Sequence, residues 1–152
     1  MKSNTVIFTE PYKAEIQEID CPKPGKSEVL IRTEQTLIST GTELTFLTGE
    51  CPEKSKWSEY IHYPQKSGYS NVGIIEEVGE GVSKDLIGKR VASFSGHSQY
   101  VIVNVNELRM INYEIKPEEA TFFALAETTI NGIRRTGIEL GNRVVVYGAG
   151  IV

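Results

Sequence analysis

Residues 143–150 read Arg-Val-Val-Val-Tyr-Gly-Ala-Gly, and this stretch decides the fold because it joins an apolar run to a Gly-x-Gly turn. An apolar run without polar alternation is typical of a parallel-sheet strand that is covered on both faces. Gly148 and Gly150 match the first two glycines of the G-x-G-x-x-G fingerprint, whose backbone lets a pyrophosphate approach the start of a helix. The stretch predicts the first strand and turn of a dinucleotide-binding domain, whose remainder would follow Val152.

A helical segment is predicted before this strand. Pro117 and the two acidic residues after it are typical of a helix start, since proline is tolerated in the first turn and acids suit the positive end of the dipole. The helical pattern extends to about Arg135, with a predicted break near Glu127 and Thr128, where the threonine would cap a second piece. Gly137 is the predicted stop.

The residues before this helix favour β-structure. Residues 12–20 alternate, with Tyr12, Ala14 and Ile16 on one face, which predicts a half-buried strand. A single helical turn is predicted at residues 43–47. Further strands are predicted at residues 6–8, 29–38, 72–78, 90–94 and 99–105. Short strands separated by glycine and proline turns favour a small, partly open β-barrel.

The domain organisation follows from this order of elements. We expect a β-barrel domain over residues 1–115, a connecting helical segment over 116–140, and the start of a nucleotide-binding domain over 141–152. The fold class is therefore mainly β with α, a barrel followed by a helix and the first strand of a Rossmann domain.

Composition excludes several classes of protein. The chain has 152 residues, a formal net charge of −4 and scattered basic residues, which argues against a nucleic-acid surface. No apolar run approaches the length of a membrane span, and the N-terminus lacks the apolar core of a signal peptide. We therefore expect a cytoplasmic protein without membrane or nucleic-acid partners, with Cys21 and Cys51 as free thiols.

Local motifs carry a resemblance to a known family over nearly the whole chain. The matching segments are residues 29–32, 39–44, 68–73, 77–82, 88–91, 99–101, 120–135 and 141–150. In this order they resemble the medium-chain dehydrogenases/reductases, which include alcohol, sorbitol and threonine dehydrogenases and quinone reductases and have a GroES-like N-terminal domain. The resemblance implies NAD or NADP as cofactor, a small-molecule substrate and a homo-oligomeric full-length protein.

Three positions depart from the zinc-containing members of that family. Thr40 and Tyr69 stand where those members have a cysteine and a histidine ligand, and Leu125 lies near the third ligand position. A threonine, a tyrosine and a leucine cannot supply the three ligands that catalytic zinc needs. The four-cysteine structural zinc lobe is also missing from the sequence. We therefore expect no metal site, and the chain looks most like the zinc-lacking branch that includes bacteriochlorophyllide dehydrogenase-like proteins.

The resemblance implies the candidate site residues. Thr42 matches the family position whose hydroxyl relays a proton from the substrate oxygen, Tyr69 would project a phenol into the space of the metal, and Thr40 would line that space. Thr129 falls near the position that touches the nicotinamide, and Gly148 and Gly150 would contact the pyrophosphate. Structural alternatives remain open. Thr40 and Thr42 would then only satisfy backbone groups in a turn, and Tyr69 would only fill the volume that zinc occupies in other members.

The predicted activity is that of a zinc-independent NAD(P)-dependent oxidoreductase, which transfers a hydride to or from a carbonyl, an alcohol or an activated alkene. These 152 residues alone are expected to be inactive, because they lack nearly all of the cofactor site. Two alternatives stay open: a free-standing GroES-like binding module, and a zinc enzyme with substitute ligands. Those substitutes would be Cys51, His62, His97 or Glu43, although Glu43 is more typical of a structural or solvated carboxylate and His97 of a polar loop residue.

Overall fold

The computed structural model describes residues 1–112, 114–148 and 150–152, so Tyr113 and Ala149 lie outside the described residues. The strands are β1 (Lys2–Glu10), β2 (Lys13–Asp20), β3 (Glu28–Thr36), β4 (Gln65–Lys66), β5 (Asn71–Val78), β6 (Arg90–Ser93), β7 (Tyr100–Asn104) and β8 (Arg109–Met110). The helices are α1 (Thr42–Thr48), α2 (Lys56–Tyr60), α3 (Pro117–Ala120) and α4 (Phe123–Thr136). No helix among these described residues is long and apolar enough to cross a membrane.

Two antiparallel sheets form the body of the protein. One has the strand order β7-β3-β5-β6-β8 and the other the order β2-β1-β4. Backbone hydrogen bonds join them where β1 meets the segment before β7, from Val6 N to His97 O at 2.9 Å and from Gln99 N to Asn4 O at 2.8 Å. The predicted fold class, an open barrel-like β-structure followed by a helix, is confirmed.

In the main hydrophobic core, buried residues of the larger sheet pack against partly buried hydrophobic residues of the neighbouring turns. Alternate residues of β3, Val29 and Ile31, are fully buried with Ile75 and Val91, and Val103 of β7 is nearly so. Burying an aliphatic side chain of this size stabilises the fold by about 1.5–3 kcal/mol. The core therefore fixes β3 and β5, and the loops that leave the ends of these strands are held by it.

The apolar face of β2 is more exposed than the sequence predicts. Ile16 is 75% exposed and Tyr12 is 66% exposed. Tyr12 also lies in the turn before the strand, with a left-handed φ of 63°. Side chains alternate along the strand, but the predicted buried face is wrong: Glu15, Gln17 and Ile19 are partly buried, whereas Ala14 and Ile16 are exposed. β2 is an edge strand of the smaller sheet, and burial there depends on which other elements cover each face.

The helical segment breaks earlier than predicted. The interruption falls at Thr121 and Phe122, and α4 then continues without a break through Glu127 and Thr128. The hydroxyl of Thr128 does not cap a helix but donates to the Ala124 carbonyl inside α4 at 3.1 Å. Tertiary structure is the cause, because the Thr121 carbonyl accepts a hydrogen bond from the buried side chain of Ser70.

The strand predicted within residues 141–148 is not formed. The described residues 142–148 carry no strand assignment, and Val145, Val146 and Tyr147 are 75%, 78% and 95% exposed. A strand of this type is stable only when neighbours pair with both its edges and cover its faces. Within the described part of the chain no strand pairs with it, so the assignment of residues 141–152 to a second domain stays a prediction.

Two glycines of α4 offer a matched test of its helical geometry. A Cβ at Gly132 or Gly137 would meet no atom within 4 Å, but only Gly137, which ends the helix as predicted, has a positive φ of 65°. We expect Gly132→Ala to stabilise the helix by about 0.5–1 kcal/mol and Gly137→Ala to destabilise it by about 1 kcal/mol. Amide hydrogen exchange along α4 measures both changes. Equal effects of the two substitutions would show that Gly137 does not end the helix in a left-handed conformation.

Candidate functional site

One cavity brings together the three residues that were predicted to act on the substrate. Thr40 lies on the loop from β3 into α1, Thr42 is the first residue of α1, and Tyr69 precedes β5. The cavity has a volume of about 430 Å³, and Leu125 and Gly150 also line it. This volume suits a small ligand.

Hydrogen bonding in this cavity leaves two hydroxyl groups available. Tyr69 is half-buried, and its phenol donates to Ser39 Oγ at 2.7 Å, which ties the aromatic ring to the loop. Within residues 1–112, 114–148 and 150–152, the hydroxyls of Thr40 and Thr42 make no hydrogen bond. They are therefore free to donate to a bound oxygen, and their catalytic role stays a prediction.

The predicted cofactor residues are only partly at this cavity. Gly150 lines it, whereas Thr129 does not and donates its hydroxyl to the Leu125 carbonyl in α4 at 2.9 Å. The neighbouring Thr128 lines the cavity instead. Gly148 has a positive φ of 90°, but a Cβ there would meet nothing within 4 Å, so no close backbone approach requires this glycine. The described residues do not by themselves form a pyrophosphate cradle.

The three positions at which the resemblance implies zinc ligands, Thr40, Tyr69 and Leu125, hold a hydroxyl, a phenol and a hydrocarbon side chain. Among the described residues, no group of three or more His, Cys, Asp or Glu side chains is placed to hold a metal ion. Of the substitute ligands considered from the sequence, Glu43 and His97 are in contact. Cys51 is a free thiol, as is Cys21, in agreement with the sequence-based expectation. The substitute set of three or four ligands is therefore not assembled.

A buried polar cluster near this cavity was missed by the sequence analysis. Glu43 is buried, with 5% of the residue exposed, and its carboxylate accepts a hydrogen bond from His97 Nε2 at 2.8 Å. The other ring nitrogen, Nδ1, lies 2.8 Å from Thr36 Oγ1. Glu43 also accepts from Ser67 Oγ at 2.6 Å and from Ser39 N at 2.7 Å. The carboxylate thus links three segments of the chain, residues 39–43, Ser67 and His97.

Burial and hydrogen bonding act in opposite directions on Glu43. Burial raises its pKa, because a carboxylate loses hydration there, but the hydrogen bonds from His97, Ser67 and Ser39 lower it. The net effect holds the Glu43 pKa below its ordinary value. Glu43 is therefore ionised at neutral pH and holds the loop of Thr40 and Thr42 through the Ser39 amide.

Two glycines make room for this cluster. A Cβ at Gly68 would lie 2.8 Å from the His97 ring, and a Cβ at Gly96 would lie 2.3 Å from the Ser67 carbonyl oxygen. The imidazole is thus packed directly against backbone. In the sequence, residues 68–70 read Gly-Tyr-Ser and residues 96–97 read Gly-His. Neither pattern predicts by itself that the two segments meet.

Comparison with known proteins supplies relatives for this arrangement. No protein-family model matches the chain. An alcohol dehydrogenase from Geobacillus stearothermophilus is 27% identical over 94% of the chain and 49% of its own length. An L-threonine 3-dehydrogenase from Thermococcus kodakarensis is 37% identical over 60% of the chain and 25% of its own length. The chain thus spans at most about half the length of these relatives.

Solved structures show the same fold. The crystal structure of an Escherichia coli quinone oxidoreductase complexed with NADPH matches with a TM-score of 0.68 at 19% identity, over 90% of this chain and 41% of that one. The relatives and the fold agree with the motifs on which the resemblance rests. The chain is therefore similar in sequence to alcohol and threonine dehydrogenases over at most about half of their length, and it shares its fold with part of the quinone oxidoreductase, in agreement with the resemblance to medium-chain dehydrogenases/reductases.

Proposed function

We propose that the full-length protein containing this sequence is a zinc-independent, NAD(P)-dependent oxidoreductase. It transfers a hydride to or from a carbonyl, an alcohol or an activated alkene. The observation that carries the proposal is the cavity in which Thr40, Thr42 and Tyr69 converge with two unbonded hydroxyls. Relatives that are alcohol and threonine dehydrogenases support the reaction class, and a structural neighbour complexed with NADPH supports the cofactor.

The residues of the cavity polarise the substrate. Without a metal acting as Lewis acid, a carbonyl oxygen must be activated by hydrogen-bond donors that are already in place. The hydroxyls of Thr40 and Thr42 donate to that oxygen. The Tyr69 phenol lines the same cavity and becomes a third donor when its proton turns from Ser39 Oγ to the substrate oxygen. Leu125, which also lines the cavity, excludes water from the reacting atoms.

The division of labour along the chain is part of this proposal. Residues 1–115 bind the substrate, residues 116–140 connect, and residues 141–152 begin the nucleotide-binding domain. In the full-length protein Gly148 and Gly150 contact the pyrophosphate, and Thr129 lies near the nicotinamide. We propose a cytoplasmic homo-oligomer, and we expect the 152-residue chain alone to show no turnover with NADH or NADPH.

Thr42 provides the direct test of the substrate site. In the full-length protein, Thr42→Val is expected to lower kcat by about 100-fold with a smaller change in KM, because a donor to the developing charge is lost. Thr42→Ser keeps the hydroxyl and serves as the matched control, with kcat within about threefold of wild type. A Thr42→Val enzyme with unchanged kcat would show that this hydroxyl does not act on the substrate.

Zinc independence has its own measurement. The purified full-length protein is expected to contain less than about 0.1 zinc per chain by elemental analysis and to keep its activity after dialysis against a chelator. One tightly held zinc per chain would support the alternative enzyme with substitute ligands instead.

A further inference from the structure

His97 lies where the two sheets join, and its backbone is fixed on both sides. The Val6 amide of β1 donates to the His97 carbonyl at 2.9 Å, and the His97 amide donates to the Ser67 carbonyl at 2.9 Å. The imidazole side chain is only 10% exposed, and a Cβ at Gly68 would lie 2.8 Å from the ring. The ring is therefore held by the body of the fold and has little room to turn.

The imidazole fixes one oxygen of the Glu43 carboxylate. His97 Nε2 donates to Glu43 Oε2 at 2.8 Å, and Ser67 Oγ donates to the same oxygen at 2.6 Å. An ionised carboxylate can only accept, so Nε2 carries a proton whether the ring is neutral or positively charged. The contact therefore does not depend on the charge of His97.

The other carboxylate oxygen holds the loop that enters α1. Glu43 Oε1 accepts from the Ser39 amide at 2.7 Å, and the Glu43 amide donates back to the Ser39 carbonyl at 2.9 Å. These two hydrogen bonds close residues 39–43 into a ring that contains Thr40 and Thr42. The placement of both threonines thus depends on where the Glu43 carboxylate is held.

Ser39 also carries the third residue of the candidate substrate cavity. Its Oγ accepts from the Tyr69 phenol at 2.7 Å, so the aromatic ring is tied to the same loop residue. Side chains that act on a substrate have to be held within fractions of an ångström of their working positions. A hydrogen-bonded path from His97 through Glu43 to Ser39 therefore reaches all three of these side chains.

We propose that His97 is a positioning residue for the substrate cavity, acting through Glu43 and Ser39 on Thr40, Thr42 and Tyr69. The inference rests on the proposed function, because that function makes this cavity the substrate site. His97 is not among the described residues that line the cavity, so it acts only through the carboxylate.

Glutamine and asparagine at position 97 form a matched pair of variants, because both have a carboxamide but differ in length. The amide nitrogen of glutamine reaches the place of Nε2 and donates to Glu43, whereas asparagine reaches only the place of Nδ1, beside Thr36. On the 152-residue chain, we expect His97→Asn to lower the hydrogen-exchange protection of the Ser39 amide about tenfold. His97→Gln is expected to keep that protection within about threefold of wild type.

Two controls separate positioning from general stability. The exposed His62 is the other histidine of the chain, and His62→Asn should leave Ser39 unchanged. The amide of the fully buried Ile31 reports on the whole fold and should keep its protection in both His97 variants. Unchanged protection of Ser39 in His97→Asn, an equal loss in both variants, or a loss that spreads to Ile31 would each overturn the proposal.

Turnover of the full-length protein gives the second readout. The probe is trans-cinnamaldehyde, which has both a carbonyl and an activated alkene, with NADH or NADPH. We expect His97→Asn to lower kcat about tenfold with KM within about threefold of wild type, and His97→Gln to restore kcat. An unchanged kcat in His97→Asn, or a loss that His97→Gln does not restore, would contradict the positioning role. A wild type that turns over neither combination would count against the proposed function, whereas the Ser39 measurement still decides the role of His97.

Discussion

Replacing Gly79 by alanine is expected to lower the free energy of unfolding by at least about 3 kcal/mol. A Cβ at this position would lie 1.7 Å from the carbonyl oxygen of Gly25 and 2.8 Å from its carbonyl carbon. Both atoms are backbone, so no side chain can rotate away. Relief requires the turn between β2 and β3 to move, although Gly79 N also donates to the Glu28 carbonyl at 2.8 Å. Urea unfolding followed by tryptophan fluorescence measures the loss.

Gly81 supplies the control for this substitution. Gly81 lies two residues after Gly79, in the turn that follows β5. It has a positive φ of 80°, but a Cβ there would meet nothing within 4 Å. Gly81→Ala therefore carries only the cost of the left-handed backbone, about 1 kcal/mol. If the two variants lose equal stability, the close approach of the Gly79 and Gly25 backbones is wrong, because Gly79, unlike Gly81, has no positive φ that alanine would strain.

Local patterns predicted the elements whose signal lies within a few neighbouring residues. The strand predicted at residues 72–78 is Asn71–Val78, the helical turn predicted at 43–47 is Thr42–Thr48, and Gly137 ends the last helix. Alternation, a short apolar turn and a glycine stop are each local, because they follow from backbone geometry and side-chain period.

Features set by distant contacts were not predictable in this way. The break at Thr121 depends on the Ser70 hydroxyl, which lies 51 residues away in sequence. The strand expected at residues 144–147 is not formed, because a strand of this kind depends on partners that the described residues do not supply. Periodicity describes the faces of an element but does not say whether another element covers them.

The candidate site divides along the same line. The family motifs placed Thr40, Thr42 and Tyr69, and the structure brings them to one cavity. They did not place Glu43 against His97, since these residues are 54 positions apart and each has an ordinary surface interpretation by itself. Only the folded backbone, with Gly68 open to the imidazole, turns two separate polar residues into a buried pair.

Glu43→Gln is expected to lower the free energy of unfolding by about 3 kcal/mol at pH 7. The carboxylate accepts from the Ser39 amide, the Ser67 hydroxyl and the His97 ring. A carboxamide has one acceptor oxygen, and its amino group cannot accept from any of these donors. The Ser67 hydroxyl and the His97 ring must then reverse their hydrogen-bonding roles, or a buried donor is left without a partner, and the charge-assisted hydrogen bonds of the carboxylate are lost.

The pH dependence separates the charge of Glu43 from its shape. Its folded pKa lies below the ordinary value of 4.5, so its ionisation stabilises the fold above that pH and this stabilisation is lost as the pH falls through the folded pKa. The stability difference between wild type and Glu43→Gln should therefore be largest near neutral pH and shrink as the pH is lowered below about 4.5. Urea unfolding across this range measures it, with the exposed Glu59→Gln as control. A difference that stays constant with pH would mean that the stability of the folded protein does not depend on an ionised Glu43.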